Sequence, residues 1–438
     1  MIKNILLLTI ALLLTPLASF SQEEMNLEKA ISIGLKNNFG IKIAEKNIAI
    51  ADNNNSWARA GKGPTVDLNG SLSNTLINDN NEASFLRGAF FNSSLAGSVD
   101  ANWVLYSGGR IAIAKNQLEL ASNQQKVLRS QEAHNLIRDI SQGYADVLVQ
   151  MERRQFFSES FTLSKERLTY ENVKKKFGQS NSFNILQFEN ALTTDSINLI
   201  NQDNAINISK RNLYLTIESD KEYIFSERLN ITREELDKDK IRQRLEEENY
   251  TLKTLRVLAV LDRLNTNLQE AGRKPTVSLN GSFGVSGTAF KFFADDPVSG
   301  DPFETIYSNR VNGNVGLAAN WNLYDGGLRK ENIQSAKLQE ETTQLSILQA
   351  KAQLYRQVDI LLENYNHQLN LLDLTEVQIQ NARRNIELSE ERFKAGQITS
   401  LDFRQIQNQF LLAANNRVNA IYNLLITKSE IDWLVGTF

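Results

Sequence analysis

A mainly α-helical chain with a β-barrel part is the fold class the sequence predicts. Three observations carry it: an internal duplication, four stretches of polar and apolar alternation long enough to cross a membrane, and two proline-free helical runs of 69 residues each. The 438 residues include no cysteine, two histidines and five prolines, and 48 basic side chains stand against 51 acidic ones. That balance offers no basic field for nucleic acid, no disulfide scaffold and no donor set for zinc or an iron–sulfur cluster. Carboxylate sites for hard cations stay open.

The N-terminus reads as a secretory signal over 1–21. Lys3 precedes an apolar run at 5–14, Pro16 follows, and Ser19 and Ser21 stand at the small-residue positions before a cut. The run is too short for a membrane helix, and no later stretch approaches 18 uninterrupted apolar residues. A membrane β-barrel passes that test.

The duplication is explicit. Pro64-Thr65-Val66-Asp67-Leu68-Asn69-Gly70-Ser71 recurs at Pro275-Thr276-Val277-Ser278-Leu279-Asn280-Gly281-Ser282, displaced by 211. Trp103-Val104-Leu105-Tyr106-Ser107-Gly108-Gly109 recurs at Trp321-Asn322-Leu323-Tyr324-Asp325-Gly326-Gly327, displaced by 218, and the same step carries Gly178-Gln179 onto Gly396-Gln397. Seven extra residues therefore lengthen the loop that holds Asp295, Asp296, Pro297, Gly300 and Pro302. The expected organisation is a first repeat over 22–218, a charged connector over 219–249, and a second repeat with a C-terminal segment over 250–438.

Each repeat has the same plan. Apolar residues at helical spacing predict a helix over 24–61 and another over about 245–272, ended by Pro64 and Pro275. Alternation of period two then puts Val66, Leu68 and Leu72 on one strand face, and Val99, Ala101, Trp103 and Leu105 on the next. Val277, Leu279, Phe283 and Val285, then Val311, Val315, Leu317, Ala319, Trp321 and Leu323, repeat this in the second copy. The opposite faces hold Asp67, Asn69, Ser71, Asn102, Ser278, Asn280, Asn312, Asn314, Asn320 and Asn322. Strands of about ten to fifteen residues, apolar on one side and polar on the other, suit lipid outside and water inside.

The helical runs 109–177 and 327–395 follow the glycine pairs. Each would extend on the order of 100 Å if unbroken. Gly178 and Gly396 end them, and return helices follow from Ser182 and Ser400. More than half of the residues 220–249 are charged, as in a solvated connector outside the helical body.

Four amphipathic strands cannot close a barrel, and open edges cannot stand in lipid. Three chains sharing a 12-stranded membrane barrel, with the long helices continuing as a hollow cylinder, form the smallest symmetric solution with a useful pore.

The duplicated strand, strand and long-hairpin unit, together with the glycine-pair element of both halves, resembles the TolC family of outer membrane efflux and type I secretion proteins. The resemblance implies a homotrimer embedded in outer membrane lipid, with most of the chain in a periplasmic α-helical barrel and an equatorial band from the middle and C-terminal segments. It further implies docking to a periplasmic adaptor, the membrane fusion protein, and through it to an inner-membrane pump, so that the chain is a passive exit duct for small molecules or proteins. A periplasmic coiled-coil scaffold or adaptor without a pore is the alternative.

In that family the second hairpin tip carries glycine, then aspartates six and nine residues later that ring a closed entrance. Here Gly396 is followed by Asp402 and then by Gln405, while the first copy has Gly178, Asn184 and Gln187. One acidic ring is expected from Asp402, which could equally cap the return helix. Trp103, Tyr106, Trp321 and Tyr324 are expected in an interfacial belt, and Gly108, Gly109, Gly326 and Gly327 at the turn from strand to helix. His134 and His367 have no triad or metal spacing, so no catalytic residue, metal or cofactor is assigned.

Overall fold

A computed structural model describes residues 23–81, 88–227, 229, 231–293 and 300–437. The expected signal segment, and Asp295, Asp296 and Pro297 of the lengthened loop, lie outside them.

The duplication governs the element order. Helices α1 (Leu27–Asn37) and α2 (Phe39–Asn54) recur as α5 (Lys238–Glu248) and α6 (Tyr250–Ala271), each displaced by 211. Strands β1 (Thr65–Asp79) and β2 (Gly88–Tyr106) recur as β3 (Thr276–Phe292) and β4 (Ile306–Asn320). Beyond the lengthened loop, α3 (Arg110–Lys176) and α4 (Ser182–Ile217) recur as α7 (Leu328–Lys394) and α8 (Ser400–Leu434), with starts displaced by 218. Strands β1 and β4, of 15 residues each, have the expected length, while β2, of 19, and β3, of 17, exceed it because their mutual pairing runs on from Phe90 with Phe292 to Tyr106 with Val277.

Three expectations change. The helix expected over 24–61 is two helices, parted at Asn38, whose side-chain oxygen accepts from the Ile41 amide 3.2 Å away and caps α2. Asn249, at the duplicated position, parts α5 from α6, and its amide donates to the Leu434 carbonyl at 2.9 Å. Neither α2 nor α6 runs to its proline: α2 stops at Asn54 and α6 at Ala271. Lastly, the segment expected as a connector over 219–249 contains a helix, α5, at the duplicated position of α1. Both the charged segment before it and α5 itself are tied down: Arg233 pairs with Asp373, and Lys238 and Arg242 of α5 both pair with Asp359 of α7.

The chain forms two compact units. The first, from residues of 1–44, 129–250 and 351–438, is helical. In α7, Val358, Tyr365, Leu372, Ile379, Ile386 and Phe393 recur every seven residues and are all buried, the seam of a helix that winds around its partners. Leu345 and Leu348 of the same helix are exposed. One cluster packs Met25, Ala30 and Ile41 against Ile140, Tyr144 and Leu148 of α3 and Leu213 and Ile217 of α4. A second joins Val149 and Phe156 to Ile379, Ile386, Phe410 and Val418. Near the helix ends Phe188, Phe393 and Phe403 make a third.

The second unit, 45–128 and 251–350, contains one antiparallel sheet in the order β1-β2-β3-β4. Among the described residues no helix is long and apolar enough to cross a membrane.

Candidate functional site

The sheet segregates its two faces as the alternation requires. Register places Leu68, Val99, Phe283 and Gly313 in one row and Val66, Ala101, Gly281 and Val315 in another, so the apolar residues of all four strands share a side. This side is uncovered in the single chain, with Leu68 82% and Val315 81% exposed. The other side carries Asp67, Asp100, Ser282 and Asn314 in one row and Asn69, Ser98, Gly284 and Asn312 in the next. Asn69 and Ser98 both donate to the Asp100 carboxylate, at 2.8 and 2.7 Å. Among the described residues of the chain β1 pairs only with β2 and β4 only with β3, so each keeps one unpaired edge.

The strand-to-helix junctions are built alike. Trp103 donates its indole N–H to the carbonyl of Lys62 at 2.9 Å, and Trp321 to that of Arg273 at 3.0 Å, the donors 218 and the acceptors 211 positions apart. Each tryptophan thus staples a strand end to the turn that precedes the neighbouring strand. Gly108 and Gly109 have φ of 68° and 92°, and Gly326 and Gly327 of 73° and 96°, values that side chains resist. Gly108 is also crowded: a Cβ there would stand 2.7 Å from the Ala271 carbonyl oxygen and 2.7 Å from the Lys274 Cβ. Tyr106 and Tyr324 close the two strand segments, the second being 84% exposed.

At the helix tips the copies also match. The Gln179 amide donates to the Lys174 carbonyl and that of Gly178 to Lys175, and Gln397 and Gly396 bond to Arg392 and Phe393 in the same way. These are glycine-closed helix ends, with φ of 73° at Gly178 and 70° at Gly396. Asn181 caps α4 by accepting from the Asn184 amide at 3.0 Å. Thr399 caps α8 in a full capping box with Asp402. The Asp402 carboxylate accepts from the Thr399 amide at 2.9 Å and its hydroxyl at 2.7 Å. Those two hydrogen bonds, the amide first, hold the carboxyl below its ordinary value, and the residue stays exposed. Capping and a charge facing solvent are therefore both properties of Asp402. Gln405 is exposed, whereas Gln187 reaches across to α8 and accepts from the Ser400 hydroxyl at 2.7 Å.

The structure adds a buried network that pattern reasoning missed. Arg404 donates to both oxygens of Asp195, each at 2.8 Å, and Asp195 is 1% exposed. Ser164 donates to the same carboxylate at 2.6 Å, and Gln407 donates to the Ser160 carbonyl at 2.8 Å. The signal was present as a difference between the copies: Asp195 aligns with Ala413 and Arg404 with Leu186. His134 is a packing residue, its Nε2 3.0 Å from the Trp433 carbonyl and its ring against Tyr250. Among the described residues no group of three or more His, Asp or Glu side chains is placed to hold a metal ion.

Known proteins were compared with this arrangement. Residues 241–437 match the model of the outer membrane efflux protein family. Outer membrane protein TolC of Escherichia coli (strain K12) is 22% identical over 192 residues, 44% of this chain and 38% of that protein. Outer membrane protein TolC of Salmonella enteritidis is 23% identical over 213 residues, 48% and 42% of the two chains. The chain thus aligns with less than half the length of these curated relatives. Solved structures match over nearly all of it. The CmeC outer membrane channel of Campylobacter jejuni has a TM-score of 0.73 at 15% identity, covering 94% of this chain and 86% of that one. The MtrE outer membrane channel of Neisseria gonorrhoeae gives 0.72 at 16%, covering 94% and 88%. A membrane protein of Pseudomonas aeruginosa gives 0.74 at 13%, covering 94% and 91%. The second repeat thus matches the model of the outer membrane efflux protein family, and nearly the whole chain shares the fold of these solved structures.

Proposed function

We propose that three copies of this chain form an outer membrane channel, the exit duct of a tripartite efflux pump or type I secretion system, with the helical part in the periplasm. The observation that carries the reading is the sheet: one face apolar and exposed across all four strands, the other lined with amides, hydroxyls and carboxylates, and both outer edges unpaired. Such a sheet satisfies its backbone in lipid only by joining other copies into a closed barrel, which turns the polar face onto a wet lumen. Transport is passive: the duct passes what an inner-membrane pump delivers through a periplasmic adaptor.

Trp103, Tyr106, Trp321 and Tyr324 form the aromatic belt at the lipid boundary, above the glycine-pair junctions. The tips around Gly178, Asn184, Gln187, Gly396 and Gln405 form the periplasmic entrance, where three copies of Asp402 attract cations. The test is mass in detergent together with single-channel conductance in planar bilayers on one preparation. A conducting, cation-favouring trimer is expected, and a monomer without conductance would instead indicate a helical scaffold.

A further inference from the structure

The duplication extends to an edge that the single chain leaves open. Along β2 and β3, Trp103 lies opposite Leu279, Asn102 opposite Asn280 and Ala101 opposite Gly281, and past a register shift Tyr106 meets Val277. Strand β4 is the copy of β2, and β1 the copy of β3. The free edge of β4 is thus the copy of the β2 edge that holds β3, and the free edge of β1 is the copy of the β3 edge that holds β2.

We propose that β4 pairs antiparallel with β1 of a neighbouring copy in the register that the duplication transfers. Trp321 then lies opposite Leu68, Asn320 opposite Asn69 and Ala319 opposite Gly70 of the neighbouring copy. Past a bulge, Tyr324 lies opposite Val66 of that copy. This rests on the proposed association of copies and adds its residue-level register.

Three observations carry it. All four pairs have the same residue types as their in-chain counterparts: Trp with Leu, Asn with Asn, Ala with Gly, and Tyr with Val. Cross-strand pairs are the unit of sheet stabilisation, so equal pairs make equal contacts.

Second, β2 runs to Tyr106 but β4 stops at Asn320, four residues short of its copy. The end of β2 lies past the reach of β1, whose pairing stops at Thr65 with Asn102, and it is held by β3 alone. Residues 321–324 have the same sequence character but lack a strand in that place. Leu323 and Tyr324 are 77% and 84% exposed, against 48% and 46% for Leu105 and Tyr106.

Third, Gly108 is pressed by Ala271, while Gly326, with the same left-handed backbone, has nothing within 4 Å of an added Cβ. The copy of Ala271 is Ala60, which the proposed pairing brings beside Gly326 from the neighbouring copy.

The absence of cysteine makes the register directly testable. A319C combined with G70C places two thiols opposite each other between copies. Gly70 has room, because the nearest atom to an added Cβ is the Ala96 carbonyl oxygen 4.0 Å away. A319C with L72C and A319C with L68C represent slips of two residues, about 7 Å along the strand and beyond disulfide reach. A101C with G281C is the in-chain control, read by loss of free thiol.

Outer membranes are oxidised and run with and without reductant. The expected result is covalent dimers and trimers from A319C with G70C, at least tenfold more than from either slipped pair, collapsing on reduction. Preferential cross-linking of a slipped pair overturns the register, as does a product that stays monomeric while the in-chain control oxidises. Mass and conductance of the unsubstituted chain separate the two readings. A conducting trimer with the wrong cross-link removes only the register, and a monomer removes both.

Discussion

The indole of Trp321 donates to the main-chain carbonyl of Arg273 at 3.0 Å, repeating 211 and 218 residues later what Trp103 does with Lys62. Each bond fastens the end of one strand to the turn that feeds the strand before it in the sheet. A tryptophan in that place combines a broad apolar ring with one donor, and the carbonyl satisfies the donor. W103F and W321F keep the ring and remove the donor. Each is expected to lose about 1 kcal/mol, read as a lower midpoint of thermal dissociation of the detergent-solubilised assembly. An unchanged midpoint in both variants would show that the staple is incidental.

Asp402 supplies a cap and a charge, and two variants separate them. D402N removes the charge, whereas T399A removes the reciprocal hydroxyl of the capping box and keeps the carboxylate. The cation preference measured from reversal potentials is expected to fall in D402N and to persist in T399A. Equal selectivity in D402N and the parent would end the ring assignment. The pH dependence has a definite sign. Hydrogen bonds from Thr399 lower the carboxyl value in the folded chain, so its contribution is complete above the unfolded value and is lost as pH falls through the folded one. Selectivity carried by Asp402 is therefore expected to be flat around neutrality and to decline only in acid, as the carboxyl takes up its proton.

The buried pair of Asp195 and Arg404 links α4 to α8 with Gln407 and two serines of α3 around it. Removing one partner strands the others without water. D195A is expected to cost about 3 to 5 kcal/mol, the range for breaking a buried pair. Adding R404A to D195A should cost much less than the sum of the single changes. Helical circular dichroism through thermal unfolding, analysed as a double-mutant cycle, measures this; additivity within about 0.5 kcal/mol would show that the two side chains act independently.

The junction glycines are not equivalent in their surroundings. Both Gly108 and Gly326 require a left-handed backbone, which costs a substituted alanine about 1 to 2 kcal/mol. G108A additionally drives a methyl group into Ala271 and the Cβ of Lys274, whereas the copy of Lys274 is Gly63, which has no Cβ. G108A is expected to reduce the yield of assembled protein in outer membranes more than G326A does. Heat-resistant oligomer on gels quantifies the difference, and the reverse order would contradict the packing described.

Much of this protein is visible along the chain. Alternation from Val66 to Leu72 and from Val311 to Leu323 identifies the strand faces, because a pleated backbone sends successive side chains to opposite sides whatever lies around it. The glycine pairs and tip glycines stand where left-handed conformations are needed, and the constant displacements relate one half to the other. Periodicity did not reveal the breaks at Asn38 and Asn249, since an asparagine parts a helix only when its side chain finds a local amide or a distant carbonyl such as that of Leu434. It likewise missed Asp195 with Arg404, two residues 209 apart in sequence.

The sequence by itself thus determined the repeat, the strand faces and the tip and junction turns, all of which depend on local backbone geometry. Only the tertiary structure decided which polar groups meet inside the helices and that the charges around Arg233 and Arg242 lie against α7. Those outcomes depend on how distant helices cross and leave polar atoms without water, and no spacing along one chain encodes that meeting.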